Sequence, residues 1–265
     1  EANNRGHPTI SYYCSKCNAW KGQLGLEPSP HEYINHLMLI FNEVRRILKP
    51  TGACWVNIGD TYSTFSGSGQ HGNLDNHKTA EGLESANNLK KNIAKYGFPN
   101  KTLIQIPSRF AIAMTDNGWI LRNEVIWQKS NCMPTSVKDR FTVDFEKFFF
   151  FTKSSKYYFK QQFEPLKAPD KKSTFGHQKE GNSNNAYSGR SYDASKNNDG
   201  TCRNARTTWT INPQASPLEH CAMFPKALIE RPIDACCPPG GVVLDPFCGS
   251  GTVLEYCFEH DIEIG

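Results

Sequence analysis

The 265 residues carry 30 Lys and Arg against 26 Asp and Glu, a formal charge of +4. That mild basicity permits a nucleic-acid partner without requiring one. The length suits one large domain or a domain with an insert, and no apolar run approaches a membrane span. Ten cysteines fall at no spacing that reads as a secreted disulfide framework, so reduced thiols inside a cell are expected.

Residues 1 to 28 are irregular and contain Cys14-Ser15-Lys16-Cys17. A lone Cys-x-x-Cys is half of a zinc site. His7 stands nearby, but no second pair accompanies it, and no metal is expected. Ser29-Pro30-His31-Glu32 is a capping box with proline at the first helical position. Tyr33, Ile34, Leu37, Met38, Phe41, Val44, Ile47 and Leu48 follow at helical spacing. Arg45, Arg46 and Lys49 suit the helix's negative end, and Lys49-Pro50-Thr51-Gly52 stops it. An amphipathic packing helix is all this segment needs to be.

Ala53 to Ile58 reads as the next strand and Gly59-Asp60-Thr61-Tyr62 as the turn after it. Asn57 and Asp60 then fall at the strand's carboxyl end, where open α/β sheets bind ligands, and both are pocket candidates. A turn cap is the competing role for Asp60. Residues 63 to 103 are rich in Gly, Ser, Asn and Lys and read as a mobile loop. Pro107 to Asn117 is helical, with Phe110, Ala111, Ala113 and Met114 as its apolar face. Trp119 to Trp127 is a strand. Phe145 to Phe151 is another, so aromatic that burial on both faces is expected. The loop between these strands carries Lys129, Asn131, Pro134, Ser136, Lys138 and Arg140.

Residues 160 to 206 are polar again, either a solvated loop or a variable DNA-reading insert. Order restarts at Trp209-Thr210-Ile211, and a helix runs through Ala235 toward Val242-Val243-Leu244-Asp245-Pro246-Phe247-Cys248-Gly249-Ser250-Gly251-Thr252. There a short apolar run predicts a buried strand. An acid, a turn with two glycines and a helix start follow, an arrangement that favours an anionic ligand group. A phosphate loop needs Gly-Lys-Ser/Thr after its last glycine, and Thr252-Val253 stands there. A dinucleotide fingerprint needs a third glycine, and Leu254 stands there. A turn without a ligand is the bland alternative.

The stretch Asp245 to Thr252 resembles the S-adenosylmethionine loop of DNA amino-methyltransferases, Asp-Pro-Phe-x-Gly-Ser-Gly-Thr, at every fixed position. Other segments line up in the same order. They are Gly25-Leu26-Glu27-Pro28-Ser29-Pro30, Asn57-Ile58-Gly59-Asp60-Thr61-Tyr62, Arg122-Asn123-Glu124-Val125-Ile126-Trp127-Gln128-Lys129, Met133-Pro134-Thr135-Ser136-Val137-Lys138-Asp139-Arg140 and His220 to Pro225. Together they look like the permuted, beta-type class of DNA methylases that modify cytosine N4 or adenine N6. The resemblance implies an α/β fold: a Rossmann-like methyltransferase sheet with helices on both faces, permuted so that the cofactor loop is C-terminal. It implies a catalytic half at 1–159, a polar insert at 160–208 as the target-recognition region, and a cofactor half at 209–265. S-adenosyl-L-methionine would be held by Asp245, Pro246, Phe247, Cys248, Gly249, Ser250, Gly251 and Thr252, with Phe224 and Pro225 bordering the pocket. Double-stranded DNA would be met by Lys129, Asn131, Ser136, Lys138 and Arg140, unless Arg140 pairs with Asp139 or Glu146 and only holds the loop. The implied setting is the cytoplasm of a bacterial or phage-infected cell, in a restriction-modification or phage system with a cognate endonuclease as a possible partner and no membrane.

One departure stands out. This class carries Ser/Asp-Pro-Pro-Tyr/Trp upstream of the Gly-Leu-Glu-Pro segment. Its polar groups accept hydrogen bonds from the target amine, a weak nucleophile, and its aromatic ring stacks on the extruded base. No such tetrapeptide occurs here; Cys237-Pro238-Pro239-Gly240 lacks both the polar start and the aromatic. No catalytic residue is therefore identified, and the expectation is a fragment cut at both ends and inactive alone. A relative that binds DNA and cofactor without turnover is the rival reading.

Overall fold

The computed structural model describes residues 13–17, 19–63, 98–99, 101–165, 202–213 and 224–265. Most of the expected loop at 63–103, much of the 160–206 tract, His7 and residues 220–223 of the His220 to Pro225 segment lie outside these. The chain divides into two units, residues 1–49 with 56–121, and residues 50–55 with 122–265.

In the first unit, helix α1 (Pro30–Ile47) starts where the capping box places it. The Glu32 amide donates to Ser29 Oγ at 3.2 Å, and the Glu32 carboxylate accepts from the Ser29 hydroxyl and from the Tyr13 hydroxyl at 2.8 Å. Ile34, Leu37, Met38 and Phe41 form its buried stripe. Helix α2 (Ile106–Asp116) buries Ile106, Pro107, Phe110, Ala111 and Met114. The two helices meet edge-to-face through Phe41 and Phe110, ring centroids 5.1 Å apart. The Arg45 guanidinium donates to the Gly118 carbonyl just past α2, fixing the end of α1 to that turn.

The second unit is built on a four-stranded sheet. Its strands are β1 (Ala53–Ile58), β2 (Ile120–Gln128), β3 (Phe145–Thr152) and β6 (Thr208–Thr210), in the order β1-β3-β2-β6, and both β1 and β2 cross the unit boundary. Strand β3 is interior, and Phe148, Phe149, Phe150 and Phe151 are all buried, as the aromatic run predicts. Strands β2 and β6 run parallel with Trp127 opposite Trp209. Val125, Trp127, Phe148, Trp209 and Leu228 form the core, and Trp55 stacks on Phe150 at 4.5 Å. Helix α3 (Lys226–Cys236) brings Leu228 to this core and gives Ile229 and Ile233 to a second one with Tyr256 and Cys257 of helix α4 (Thr252–Glu259). The Lys226 ammonium clamps the helices by pairing with Glu255 at 2.9 Å and Glu259 at 2.7 Å.

Two small sheets complete this unit. Strands β4 (Phe163–Pro165) and β5 (Cys202–Asn204) pair antiparallel, tying together the two ends of the polar tract. Strands β7 (Val242–Val243) and β8 (Glu263–Ile264) run parallel. The run at Val242 to Leu244 was expected to be buried, and here the structure corrects the sequence. Val242 and Leu244 are 44% and 45% exposed. The reason is topological: among the described residues β7 pairs with β8 alone and belongs to no larger sheet. None of the helices among the described residues is long and apolar enough to cross a membrane.

Candidate active site

The glycine turn follows β7 directly. Asp245 is half-buried and its Oδ1 accepts the Phe247 amide at 3.0 Å, so the acid folds the turn it begins. Gly249 and Gly251 adopt φ of +53° and +83°, the left-handed region that side chains resist. Gly251 is also the N-cap of α4, and its carbonyl accepts the Glu255 amide at 2.9 Å. A Cβ placed on Gly251 would meet no atom within 4 Å. The turn thus leaves open space against bare backbone, beside the positive end of a helix. Pro246 to Ser250 are exposed. These features fit a ligand with polar, partly anionic edges laid along the backbone.

Phe224 and Pro225 lead into α3, which packs against the helix that follows the turn. Pro225 is buried and is the N-cap of α3. Phe224 packs against both cores, that of the sheet and that of α3 with α4. Tyr256, whose hydroxyl donates to Asp234 at 3.4 Å, is pushed up to about 12 by burial and by the nearby Asp234 and Glu230 carboxylates. It stays a neutral donor across the working pH range.

The loop between β2 and β3 is pinned at its base. The Lys129 amide donates to the Asp144 carbonyl at 2.7 Å, and the Lys129 ammonium pairs with Glu146 while lying 4.2 Å from the Trp127 ring centroid. The Ser130 amide donates to Asn212 Oδ1 at 3.1 Å. Farther out, Asn131, Ser136, Lys138 and Arg140 are exposed. The Lys129 charge is thus already neutralised by the Glu146 carboxylate.

Asn57 is half-buried near the end of β1, in the first unit. Asp60 is exposed, and its Oδ1 accepts two amides, from Thr61 at 2.9 Å and from Ile106 at 3.0 Å. The second bond caps α2, whose own N-cap residue Gln105 has a left-handed φ of 62° and no side-chain cap bond. Sequence reasoning offered a turn cap as the competing role and placed a helix at Pro107 to Asn117, but did not connect Asp60 to that helix, whose first residue is 46 positions downstream. A strand-end acid gives no local signal for it.

Other features were also missed. The β4–β5 ribbon is locked by Glu164, whose carboxylate accepts from Arg203 at 2.8 Å and Arg206 at 2.5 Å. Partial desolvation alone would raise this carboxyl; the Arg206 and Arg203 guanidiniums outweigh it and hold it below its ordinary value of 4.5. Three-residue strands so far apart in sequence carry no periodicity to read. At Cys14, amide hydrogen bonds from Cys17 and Lys16 lower the thiol's pKa. Among the described residues no group of three or more His, Cys, Asp or Glu could hold a metal.

The sequence profile of the DNA methylase family matches residues 7–263. The chain belongs to that family. The methylase is 36% identical over 239 residues to the type II methyltransferase M.Cfr9I of Citrobacter freundii, an alignment covering 90% of the chain and 68% of that relative. Its fold is that of the PvuII DNA methyltransferase, described as cytosine-N4-specific: TM-score 0.56 at 16% identity, over 97% of the chain and 71% of the other. A Thermus thermophilus protein crystallised with S-adenosyl-L-methionine matches at TM-score 0.50 and 18% identity, over 93% and 76% of the two chains. The Rossmann-like α/β methyltransferase architecture expected from the resemblance is the one observed.

Proposed function

We propose that the methylase transfers a methyl group from S-adenosyl-L-methionine to the exocyclic amine of one base at a specific site in double-stranded DNA, cytosine N4 or adenine N6. The observation that carries this reading is the Asp245–Thr252 turn, with its two left-handed glycines and the open space at Gly251. When bound, S-adenosylmethionine supplies a methyl group on a sulfonium, ready for displacement. The protein's part would be to hold it: the turn from Asp245 through Thr252 would carry it, and Phe224 and Pro225 would border the pocket at the start of α3. No cysteine in the sequence follows a proline, the arrangement that covalent C5-cytosine methylases use. Direct transfer to the amine is thus the fitting chemistry.

DNA contact is assigned to Asn131, Ser136, Lys138 and Arg140 in the loop between β2 and β3, with Lys129 bracing the loop. Asn57 remains a pocket candidate at the end of β1. The halves at 1–159 and 209–265 flank the insert at 160–208, which would read the target sequence from its ribbon base. The Ser/Asp-Pro-Pro-aromatic motif does not occur in these residues, so no described side chain is assigned as the amine's acceptor. A cognate endonuclease as partner and the cytoplasm of a bacterial or phage-infected cell as setting belong to the same proposal, supported by the type II methyltransferase relatives.

The test is to incubate the full-length protein with methyl-labelled cofactor and mixed DNA. Label in an acid-stable N4-methylcytosine or N6-methyladenine is expected. Label found on protein or small molecules, with none on DNA, would overturn the reading.

A further inference from the structure

The loop between β2 and β3 presents apolar side chains where a soluble loop would be polar. Phe141 is 96% exposed and Met133 90%, and Val137, Val143 and Phe145 are exposed as well. Isolated exposed apolar residues are ordinary. Four within one connection, with Phe145 opening the strand that follows, on a loop that also carries Lys138 and Arg140, mark a surface that meets something. The base of this loop is fixed by Lys129 to Asp144 and Glu146 and by Ser130 to Asn212, and the Val137 amide donates to Thr135 Oγ1 at 3.3 Å. Phe141 is therefore a projecting tip on an anchored stem.

We propose that Phe141 is an intercalating wedge, which enters the base stack beside the nucleotide being modified and fills the space its extrusion leaves. This rests on reading the loop as a DNA contact. The chemistry requires a base to leave the stack, because an exocyclic amine inside a duplex cannot be reached. Apolar side chains inserted between base steps are the common means of opening a stack, and cationic neighbours hold the flanking phosphates. The Lys138-Asp139-Arg140-Phe141 order has that form, a flat apolar ring next to cations. Met133 is the second apolar projection of the same loop and would brace the opened step.

The experiment uses the full-length protein and a duplex bearing its methylated sequence, with 2-aminopurine replacing the target base. Fluorescence reports extrusion, and affinity is measured in parallel across a salt series. Phe141→Ala should lower the extruded fraction about tenfold, the effect of losing one aromatic stacking contact. Its salt slope and thermal midpoint should stay those of the parent. Phe141→Trp should keep extrusion, and an abasic target should narrow the affinity gap between Phe141→Ala and the parent, since no base then has to leave the stack. Unchanged fluorescence in Phe141→Ala overturns the wedge. So does a parent protein that is dimeric and becomes monomeric on this substitution, because the tip would then be a self-association surface. A parent protein with no affinity for DNA removes the DNA-contact reading itself, and the wedge with it.

Discussion

The turn at Asp245–Thr252 and the loop between β2 and β3 solve the same problem, presenting chemistry at a strand's end, in opposite ways. The turn works through backbone. Its glycines take φ values of +53° and +83°, and the Asp245 carboxylate is spent on shaping the turn itself. The β2–β3 loop works through side chains. Its stem is tied by Lys129 and Ser130, and its tip offers Phe141, Lys138 and Arg140 to solvent. Backbone-made sites tolerate almost no substitution at their glycines. Side-chain-made sites should lose one contact at a time.

The largest effect should come from Gly251→Val. A β-branched residue at a φ of +83° is strained wherever it points, and its methyl groups would occupy the open space that the cofactor needs. S-adenosylmethionine affinity should fall by about 100-fold or more, around 2.7 kcal/mol. The helical signal of α4 should persist, because its core residues Tyr256 and Cys257 are untouched. Calorimetry that finds parental affinity would break the backbone side of the comparison.

Asp60→Ala tests a residue that lies between the two cases. Its carboxylate closes a local turn and caps a helix far along the chain. Loss of such a cap costs about 1 kcal/mol, which lowers the melting temperature by about 2–4 °C. Asp60→Asn should recover most of it, since an amide oxygen accepts the same bonds. A variant with full stability and no methylation would return Asp60 to the cleft and deny it the structural role.

How much of this was legible beforehand follows the same division. Elements set by local rules were readable from the chain: the Ser29 cap, the Phe148–Phe151 interior strand and the glycine turn with its left-handed positions. Each depends on residues within a few positions of one another. What the sequence did not reveal depends on distant partners. Asp60 reaches Ile106, Glu164 reaches Arg203 and Arg206, and Lys129 chooses Glu146 across a hairpin. The exposure of Val242 and Leu244 belongs here too, because burial of a strand depends on the neighbours it finds.

The side-chain loop can be sharpened by comparing two lysines. Lys138 is exposed, whereas Lys129 is half-buried against Glu146 and Trp127. Lys138→Met should reduce the salt slope of DNA binding by about one unit and weaken all sequences alike. Lys129→Met should leave that slope unchanged and instead loosen the loop, read as faster hydrogen exchange at Ser130. Equal slope losses at both positions would mean that the Glu146 pair opens on DNA, and that the stem is part of the contact.

The smallest effect is expected at the ribbon that closes the polar insert. Glu164 is held below its ordinary value of 4.5 by Arg206 and Arg203, against the desolvation that would raise it. A carboxyl with a depressed folded pKa stabilises its structure above the unfolded value, and that contribution is lost as pH falls through the folded pKa. The ribbon should therefore keep full protection near neutrality and open as pH drops below the ordinary carboxylate range, while α1 and β3, which do not depend on this pair, stay protected. Hydrogen exchange at the Ala205 amide, which donates to the Gln162 carbonyl at 2.9 Å, is the local reporter. Glu164→Gln should weaken protection at neutral pH and flatten its pH dependence, because the amide keeps one acceptor but no charge. An acid profile unaltered by that substitution would mean that the ribbon is held by its backbone, and that the insert is anchored in the manner of the glycine turn.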